Sequence, residues 1–293
     1  MYMYDICCVG HITLDRVVTP TTEKHMAGGT SFYFSNAIRK MGINYSLVTA
    51  IAQGEMPFVL DLRTKGTEVV VFPSAKTVYF ENIYTGNLDH RTQRVLQESD
   101  PFTVEQFKAV DAKIFHLGPL LSNDIPVELI KALAGRSRVS LDVQGYLREV
   151  KGQSVCAIDW KDKKEALQYV HTVKADEAEL EVLTGVVGIK EGVKILSDWG
   201  VQETVITRAS LGSVIYGDGV FYDIPAFRPA AEVDATGCGD TYMAGYLSQR
   251  VKGVGIQQSG EFGAAMASLK MESYGPFDGT EEDIIQLLVA NRG

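Results

Sequence analysis

Residues 230–250 read AAEVDATGCGDTYMAGYLSQR, an extended run that ends in small residues where a helical pattern begins. The pattern predicts a strand closing at Val233, a tight turn over residues 234–239, and a helix starting at Asp240. Glycine allows such a turn because it lacks a Cβ and adopts backbone conformations that other residues avoid. A strand that leads through a glycine-rich turn into a helix is typical of an α/β fold.

The turn has the features of an anion site beside a carboxylate. The N–H groups of Gly237, Cys238 and Gly239 are predicted to point at one oxyanion, and the start of a helix adds partial positive charge. A carboxylate at Asp240 would repel that anion unless it has a task, and we interpret it as a base that takes a proton from an attacking hydroxyl. The alternative is that Asp240 simply caps free N–H groups, as acidic residues at helix starts often do.

Composition limits the class of protein. The chain has 293 residues, 22% charged and 45% hydrophobic, with a formal net charge of −9, which is ordinary for a globular protein and opposes a general nucleic-acid binder. No residue run has a secretion-signal pattern or membrane-spanning length, so we expect a cytoplasmic protein with no membrane partner. The four cysteines lack metal-ligand spacing; we interpret Cys7 and Cys8 as core residues.

From residue 102 onward, strand-like and helix-like segments alternate, which predicts a doubly wound, parallel sheet. Residues 67–97 alternate without intervening helices and, with residues 12–27, are predicted to form a small β-sheet lid on a single domain of residues 1–293. Such a lid would exclude water from the site. Its edge is a candidate surface for a homodimer. Arg91 and Arg94 near its end are interpreted as solvated, with contact to a substrate anion as the alternative.

DATGCGD followed by TYMAGY resembles the C-terminal motif of the PfkB/ribokinase family of ATP-dependent sugar kinases. The sequence departs from the family form at Ala235 and Cys238. The resemblance implies a ribokinase-like fold, a doubly wound mostly parallel sheet with helices on both faces and a small β lid. It also implies Mg·ATP as phosphoryl donor and Asp240 as the catalytic base, with Gly237, Cys238 and Gly239 at the transferred phosphate.

Other motifs resemble the acceptor side of the same family. Asp15 follows the first strand, where open α/β sheets place ligands, and it matches the family aspartate that binds sugar hydroxyls. SFYFSN at residues 31–36 and DVQGYLR at residues 142–148 are similar to the GG-x-x-SF-x-SN and D-x-Q-x-x-x-R forms of the inositol-kinase branch. The resemblance implies a substrate site formed by Asp15, Gly28, Gly29, Ser31, Tyr33, Asn36, Gln144 and Asp240.

Nucleotide and metal residues are implied by further motifs. Residues 176–179 stand where the family has N-x-x-E, so Glu179 is expected to arrange Mg²⁺ through water, although a helix-capping role explains Asp176 and Glu179 as well. TRASLG at 207–212 resembles the T-x-G-x-x-G nucleotide segment. The residues expected at the nucleotide are Asp176, Glu179, Thr207, Arg208, Gly212, Gly237 and Gly239.

Two further expectations concern the C-terminal part. The family match implies a monovalent cation, K⁺, with Asp234 and Thr236 as contributors. Small residues in the helix over 263–267 are consistent with a wall against adenine, and tight helix packing explains them equally well.

The sequence therefore predicts an ATP-dependent kinase acting on a hydroxyl of a sugar or polyol. A cyclic polyol such as myo-inositol is favoured, ribose or fructose is the alternative, and a nucleoside or phosphosugar is disfavoured. Rivals from other classes are a nucleotide-binding regulatory protein without turnover, a dinucleotide-dependent oxidoreductase, and a thiol enzyme using Cys238. The oxidoreductase is opposed because no G-x-G-x-x-G follows the first strand.

Overall fold

A computed structural model describes residues 3–84 and 91–291 of the chain. Its strands, in chain order, are β1 (Tyr4–Val9), β2 (Thr13–Val18), β3 (Glu23–Gly28), β4 (Tyr45–Ile51), β5 (Glu68–Pro73), β6 (Tyr79–Tyr84), β7 (Arg91–Gln97), β8 (Ala112–Leu117), β9 (Arg138–Asp142), β10 (Arg148–Lys151), β11 (Ser154–Ala157), β12 (Thr172–Asp176), β13 (Glu203–Thr207), β14 (Ser213–Gly217) and β15 (Val220–Ile224). The helices are α1 (Thr30–Ile38), α2 (Met56–Thr64), α3 (Val127–Ala134), α4 (Lys163–Leu167), α5 (Glu177–Thr184), α6 (Ile189–Asp198), α7 (Cys238–Val251), α8 (Ile256–Met271) and α9 (Glu281–Ala290).

The main sheet has the strand order β15-β14-β13-β12-β9-β8-β1-β4-β5. Every pair from β13 to β5 is parallel, whereas β14 and β15 run antiparallel at one edge. β14 and β15 are joined by Asp218 and Gly219, whose φ angles of 53° and 78° are those of a tight hairpin turn. The chain passes from β1 outward in both directions, and ligands bind at such a switch point, beyond the carboxyl ends of the strands.

Helices cover both faces of this sheet, which confirms the predicted fold class. In β1, Ile6 and Cys8 face a core shared with α1, α2, α7, α8 and α9, while Cys7 and Val9 face a second core shared with α3 to α6. Both cysteines are fully buried, and burial raises the pKa of the Cys7 thiol to about 12. They are protonated packing residues, as the sequence indicated.

The small sheet differs from the predicted lid in its membership. Its strand order is β10-β11-β7-β6-β2-β3, so the hairpin of β10 and β11 joins it, whereas residues 68–73 belong to the main sheet. β5 carries the run Val69, Val70 and Val71, whose members contact the cores on both faces of the sheet. A continuous apolar run is typical of a parallel strand covered on both sides.

A buried carboxylate ties the lid strands together. Glu81 on β6 is 4% exposed, and its oxygens lie 2.7 Å from Nη1 of Arg16 on β2 and 3.0 Å from Nη1 of Arg94 on β7. Arg94 also donates to Gln153. Its guanidinium therefore pairs within the small sheet while the side chain stays 42% exposed to solvent; the side chain of Arg91 lies outside the described residues.

The segment before α7 is irregular. The last strand ends at Ile224, and the predicted strand up to Val233 does not form. Pro225 and Pro229 lack the N–H that a ladder needs, which explains why pairing stops there. None of the helices within residues 3–84 and 91–291 combines the length and apolar character needed to cross a bilayer.

Candidate active site

The turn that leads into α7 requires glycine at its last residue. Gly237 has φ 78° and ψ 7°, a left-handed conformation. A Cβ there would lie 2.2 Å from Cδ1 of the Tyr33 ring. The turn and α1 are therefore in contact at a point where no side chain fits.

Two of the three predicted phosphate-binding N–H groups are available. Cys238 N–H donates to the Ala235 carbonyl at 3.2 Å, because the turn closes on itself before α7 starts. Among the described residues no acceptor pairs with the N–H of Gly237 or Gly239. The prediction is thus corrected for Cys238, while Gly237, Gly239 and the positive end of α7 remain candidate anion-binding groups.

The Cys238 thiol is a packing group. It donates to the Ala267 carbonyl on α8 at 3.6 Å, and burial raises its pKa to about 11. Thiol chemistry requires the thiolate, so the structure opposes the thiol-enzyme alternative, which assumed that the helix start would lower this pKa.

Asp240 is a half-buried carboxylate in the first turn of α7. Burial and then the negative charge of Asp142 raise its pKa from 3.8 to about 6, against the opposing effects of Lys174 and a hydrogen bond with the Thr30 side chain. A carboxylate with a pKa near the working pH has the property that a general base needs.

Lys174 is a buried ammonium that links the charged groups of the site. It is 6% exposed, and its Nζ lies 2.9 Å from Oδ2 of Asp142 and 3.8 Å from Oε2 of Glu179. Burial alone would lower its pKa, but the carboxylates of Asp142, Glu179 and Asp240 outweigh burial and raise it. A Cβ on Gly239 would lie 3.3 Å from Nζ, so this permanent positive charge lies directly beside the turn.

Glu179 and Asp176 form the capping box at the start of α5. The Asp176 carboxylate accepts from Glu179 N–H at 2.7 Å, and Glu179 Oε2 accepts from Asp176 N–H at 2.8 Å. Gln144 Nε2 donates to Oε1 of Glu179 at 3.1 Å, and Gln144 N–H donates to Asp142 at 3.0 Å. Burial raises the pKa of Glu179, and the charge of Lys174 lowers it. Gln144, predicted at the acceptor, thus contacts the Glu179 side of the site.

Asp15 lies on the lid strand β2, opposite the start of α1. Its Oδ1 accepts from the Thr13 hydroxyl at 2.6 Å. A Cβ on Gly28 would lie 2.4 Å from Oδ2 of Asp15, and Gly29, with φ 87°, would place a Cβ 2.6 Å from the His11 carbonyl. The absence of a side chain at these two glycines therefore lets the backbone pack closely against Asp15 and the His11 carbonyl. Thr30, two residues after Gly28, forms a side-chain hydrogen bond with Asp240.

The other three residues predicted at the acceptor serve packing in this structure. Tyr33 is buried with its ring against Gly237. Asn36 donates to the Phe32 carbonyl of its own helix at 2.9 Å. Ser31 is fully buried and packs against Gly10. The structure does not bring these side chains to an open acceptor site, because α1 is buried along its whole length.

The predicted nucleotide segment divides between the two faces of the sheet. In β13, Val205 faces the α7 core and Ile206 the opposite core, so alternation places Thr207 on the α7 face and Arg208 on the other. Arg208 lies 3.7 Å from Asp223 and lines a cleft of about 480 Å³ with Glu177 and residues 188–191. It is not beside the turn as predicted.

Gly212 fits close to the end of β15. It has φ 84°, and a Cβ there would lie 2.2 Å from the Ile224 carbonyl. Ala209, where the family has glycine, has φ 47°. Both positions of the 207–212 loop thus have a positive φ, which favours glycine, but only position 212 carries a glycine.

Asp234, one of the two residues predicted to bind a monovalent cation, contacts a lysine instead. Lys270 on α8 donates from Nζ to the Asp234 carbonyl at 2.7 Å and to Asp234 Oδ2 at 3.1 Å. Thr236 N–H donates to the remaining Asp234 oxygen, Oδ1, at 2.9 Å. The expected cation ligands are therefore already bonded.

Small residues of α8 pack against α7. A Cβ on Gly263 would lie 2.7 Å from the Tyr242 carbonyl, and one on Gly245 would lie 3.0 Å from Cα of Gly263. Ala264 and Ala265 belong to the same core. Of the two interpretations of this stretch, the structure supports helix packing.

Sequence reasoning missed Lys174, Lys270 and Thr30. The signal was present for the lysines, because each is a charged residue inside a buried apolar pattern: Lys174 between Val173 and Ala175, and Lys270 after a run of small residues in α8. Lysine is almost never fully buried unless it is paired. Thr30 carried no such signal, since a threonine after two glycines is common at a helix start.

With this geometry in place, comparison with known proteins identifies the class. The sequence model of the pfkB family carbohydrate kinases matches residues 74–283. A cytidine kinase of Thermococcus kodakarensis is 27% identical over 93% of this chain and 98% of its own. A nucleoside kinase of Methanocaldococcus jannaschii is 24% identical over 93% of this chain and 92% of its own.

Among solved structures, a pyrophosphate-dependent kinase of the ribokinase family, in complex with a pyrophosphate analogue and myo-inositol, is 29% identical with a TM-score of 0.86. It covers 96% of this chain and 99% of its own. The ribokinase of Arabidopsis thaliana with ribose and ATP has a TM-score of 0.81 at 20% identity over 98% of this chain and 99% of its own, a similarity of fold.

The chain belongs to the pfkB family of carbohydrate kinases. It is a ribokinase-fold kinase of the sugar and nucleoside kinase group; the sequence predicted the kinase class and disfavoured a nucleoside.

Proposed function

We propose that this protein transfers the terminal phosphoryl group of Mg·ATP to a hydroxyl of a cyclic polyol, with myo-inositol as the favoured acceptor. The observation that carries the phosphoryl-transfer proposal is the arrangement around Asp240. A carboxylate with a pKa raised to about 6 stands at the start of α7, next to unpaired N–H groups and the ammonium of Lys174.

Each group has a distinct part in the transfer. Asp240 accepts the proton of the acceptor hydroxyl while its oxygen forms a bond to the terminal phosphorus and the bond to the bridging donor oxygen breaks. The N–H groups of Gly237 and Gly239 donate to phosphoryl oxygens, on which charge accumulates. Lys174, held against Asp142 at 2.9 Å, supplies a fixed positive charge that requires no reorganisation during the reaction.

The charged residues fit a hydrated Mg²⁺ better than a directly bound one. Within residues 3–84 and 91–291, no three His, Cys, Asp or Glu side chains come together as a metal cage. Both oxygens of Glu179 already accept hydrogen bonds. Mg²⁺ normally keeps several waters and binds donor phosphates, so Glu179 and Asp142 would act on its water shell, and the ion would neutralise phosphate charge.

The nature of the donor has a second candidate, pyrophosphate. The anion-binding groups of the turn serve any terminal phosphoryl group. The small residues expected to form an adenine wall are instead packed between α7 and α8, and the relative of 0.86 TM-score is a pyrophosphate-dependent kinase. ATP remains the proposal because ribokinase-family kinases use it.

The acceptor proposal rests on Asp15 and on the inositol-type wording of two motifs. Asp15 on β2 is braced by Thr13 and presents a carboxylate to vicinal hydroxyls. The relative complexed with myo-inositol supports a polyol, whereas the similarity to a cytidine kinase favours a nucleoside as the competing class. The nucleoside therefore belongs in the test, although the sequence disfavoured it.

The test is a matrix of acceptors against donors with the purified full chain. myo-Inositol, ribose, fructose and cytidine are each incubated with ATP or pyrophosphate in the presence of Mg²⁺, and phosphorylated products are identified by mass spectrometry. We expect inositol phosphate from ATP. Phosphorylation of cytidine without that of inositol would overturn the acceptor proposal, and product with pyrophosphate alone would overturn the donor proposal.

A matched pair of variants assigns the product to this site. Asp240→Asn should abolish product formation, while Asp198→Asn, an exposed aspartate on α6, should leave it unchanged. Equal rates in both variants would show that the measured activity does not arise at Asp240.

A further inference from the structure

A second buried lysine lies on the far side of the turn from Lys174. Lys270, near the end of α8, is 0% exposed. Its Nζ donates to the carbonyl of Asp234 at 2.7 Å and to its Oδ2 at 3.1 Å, and lies 6.0 Å from the centroid of the Tyr33 ring. A lysine is buried to this extent only when its charge is matched.

The same residues fasten the turn to α8. The N–H groups of Val233 and Asp234 both donate to the Met271 carbonyl, at 2.9 and 3.2 Å, and Asp234 Oδ2 also accepts from Gly275 N–H at 3.4 Å. Lys270 and Met271 at the end of α8 therefore hold Val233 and Asp234, where the turn begins, against that helix. The Lys270 ammonium group donates to the carboxylate and to the main-chain carbonyl of the same residue, Asp234.

This arrangement does not fit the monovalent cation that the family resemblance implied at Asp234. All three oxygens of Asp234 are already engaged, two by Lys270 and one by Thr236 N–H. A cation placed on the carbonyl and Oδ2 would stand next to Nζ, and two like charges at that distance repel strongly where water is largely excluded. The Lys270 ammonium carries the same single positive charge as the monovalent cation and, like it, interacts with oxygen atoms.

We propose that Lys270 is a tethered replacement for that cation, a positioning residue that holds the turn 234–239 in its phosphate-binding conformation without an exogenous monovalent ion. It acts through Asp234 and does not touch the transferred group. The kinase should therefore work equally well in K⁺ and in a large organic cation, and removal of the ammonium should create a requirement for an added ion.

The first test measures melting and needs no substrate. Lys270→Met keeps an unbranched apolar stem and removes the charge, so Asp234 is left with free oxygens. In this variant K⁺ should raise the unfolding midpoint by at least about 2 °C over choline at equal ionic strength, because an ion that binds only the folded state stabilises it. The wild-type midpoint should be the same in both salts.

The second test measures turnover, and this part alone rests on the proposed function. In choline, kcat of Lys270→Met should fall about tenfold or more, because a turn displaced by a fraction of an ångström misplaces its N–H groups. K⁺ or ammonium should restore most of it, with little change in the KM for the acceptor. Rescue by an ion is a result that loss of packing alone would not give.

A matched control is Lys252→Met. Lys252 at the end of α7 also pairs with a carboxylate, at 2.8 Å from Glu281, but it is 29% exposed. Its midpoint and rate should not respond to the choice of cation. A response equal to that of Lys270→Met would overturn the proposal, since the effect would then belong to any lost lysine pair.

The wild type decides the matter even if Lys270→Met does not fold. A several-fold activation or a raised midpoint of the wild type in K⁺ would overturn the proposal, and equality in the two salts supports it. A folded Lys270→Met that ignores K⁺ would overturn it as well. If no acceptor is phosphorylated at all, the proposed function fails while the melting comparison still stands.

Discussion

The two ends of the site are anchored in different parts of the molecule. The proposed phosphate end consists of the turn 234–239 with Asp142, Lys174, Glu179 and Asp240. These four charged groups sit on the main sheet or at helix starts and interact with one another. The proposed acceptor end consists of Asp15 with Gly28 beside it, and its carboxylate stands on a strand of the small sheet with Thr13 as neighbour. Under the proposed function, this difference assigns the reaction to the main sheet and the choice of acceptor to the smaller sheet.

The largest effect should follow from removing the base at the phosphate end. Asp240→Asn keeps the shape and removes the proton acceptor, so we expect kcat to fall by about 10²-fold or more. Donor affinity, measured by calorimetry, should change little. Near-normal turnover of the variant would contradict the division into two ends, because Asp240 would then not be the proton acceptor at the phosphate end.

The same substitution should make the protein more stable at neutral pH. The folded-state pKa of Asp240 is raised from 3.8 to about 6, so wild-type stability is lost as the pH rises through this window, by up to about 3 kcal/mol. Asn does not titrate and avoids that loss. In urea unfolding, the free energy of unfolding of the variant should rise relative to that of the wild type between about pH 4 and 6, and the difference should stay constant above pH 6. A difference that is just as large at pH 3 would contradict the assignment.

A smaller and different effect is expected at the acceptor end. Asp15→Asn should raise the KM for the acceptor about tenfold, because a charged hydrogen bond to a hydroxyl is replaced by a neutral one. The KM for the donor should stay unchanged. A drop in kcat as large as that of Asp240→Asn would mean that the two ends do not divide the work as described.

The smallest effect concerns a residue outside both ends. Ala209 has φ 47°, a left-handed conformation that costs a non-glycine residue about 1 kcal/mol. Ala209→Gly should therefore raise the free energy of unfolding by up to about 1 kcal/mol, with activity unaltered. Calorimetric melting measures this, and a destabilised variant would show that the alanine methyl makes a compensating contact.

The two ends also differ in how far the sequence could predict them. The doubly wound sheet followed from alternating strands and helices, and the position of Asp240 followed from a local pattern of small residues before a helix. Both signals are confined to a few neighbouring residues or repeat regularly along the chain. The small residues before Asp240 mark a turn in the sequence itself, so sequence alone located the turn, although the contacts that hold it come from the distant Lys270 and Tyr33.

What the sequence could not provide was the pairing of distant groups. Lys174 meets Asp142 only because two parallel strands lie side by side, and Lys270 meets Asp234 only through the angle at which α8 returns. The membership of β5 in the main sheet depended on a neighbour in β4. The burial of Tyr33 and Asn36 was missed for the same reason, since it depends on elements such as the turn at Gly237, against which the Tyr33 ring packs.

The position of Asp15 within the lid has a kinetic consequence. β2 is hydrogen-bonded to β3 on one side and β6 on the other, and the Glu81 carboxylate on β6 pairs with Arg16 on β2 and Arg94 on β7. Any rotation of the lid about the short link between β1 and β2 carries Asp15 with it. Under the proposed function, such a rotation would leave the acceptor site incomplete, so acceptor binding would require the lid to be closed, and a donor bound alone would lack the arrangement that makes hydrolysis by water fast.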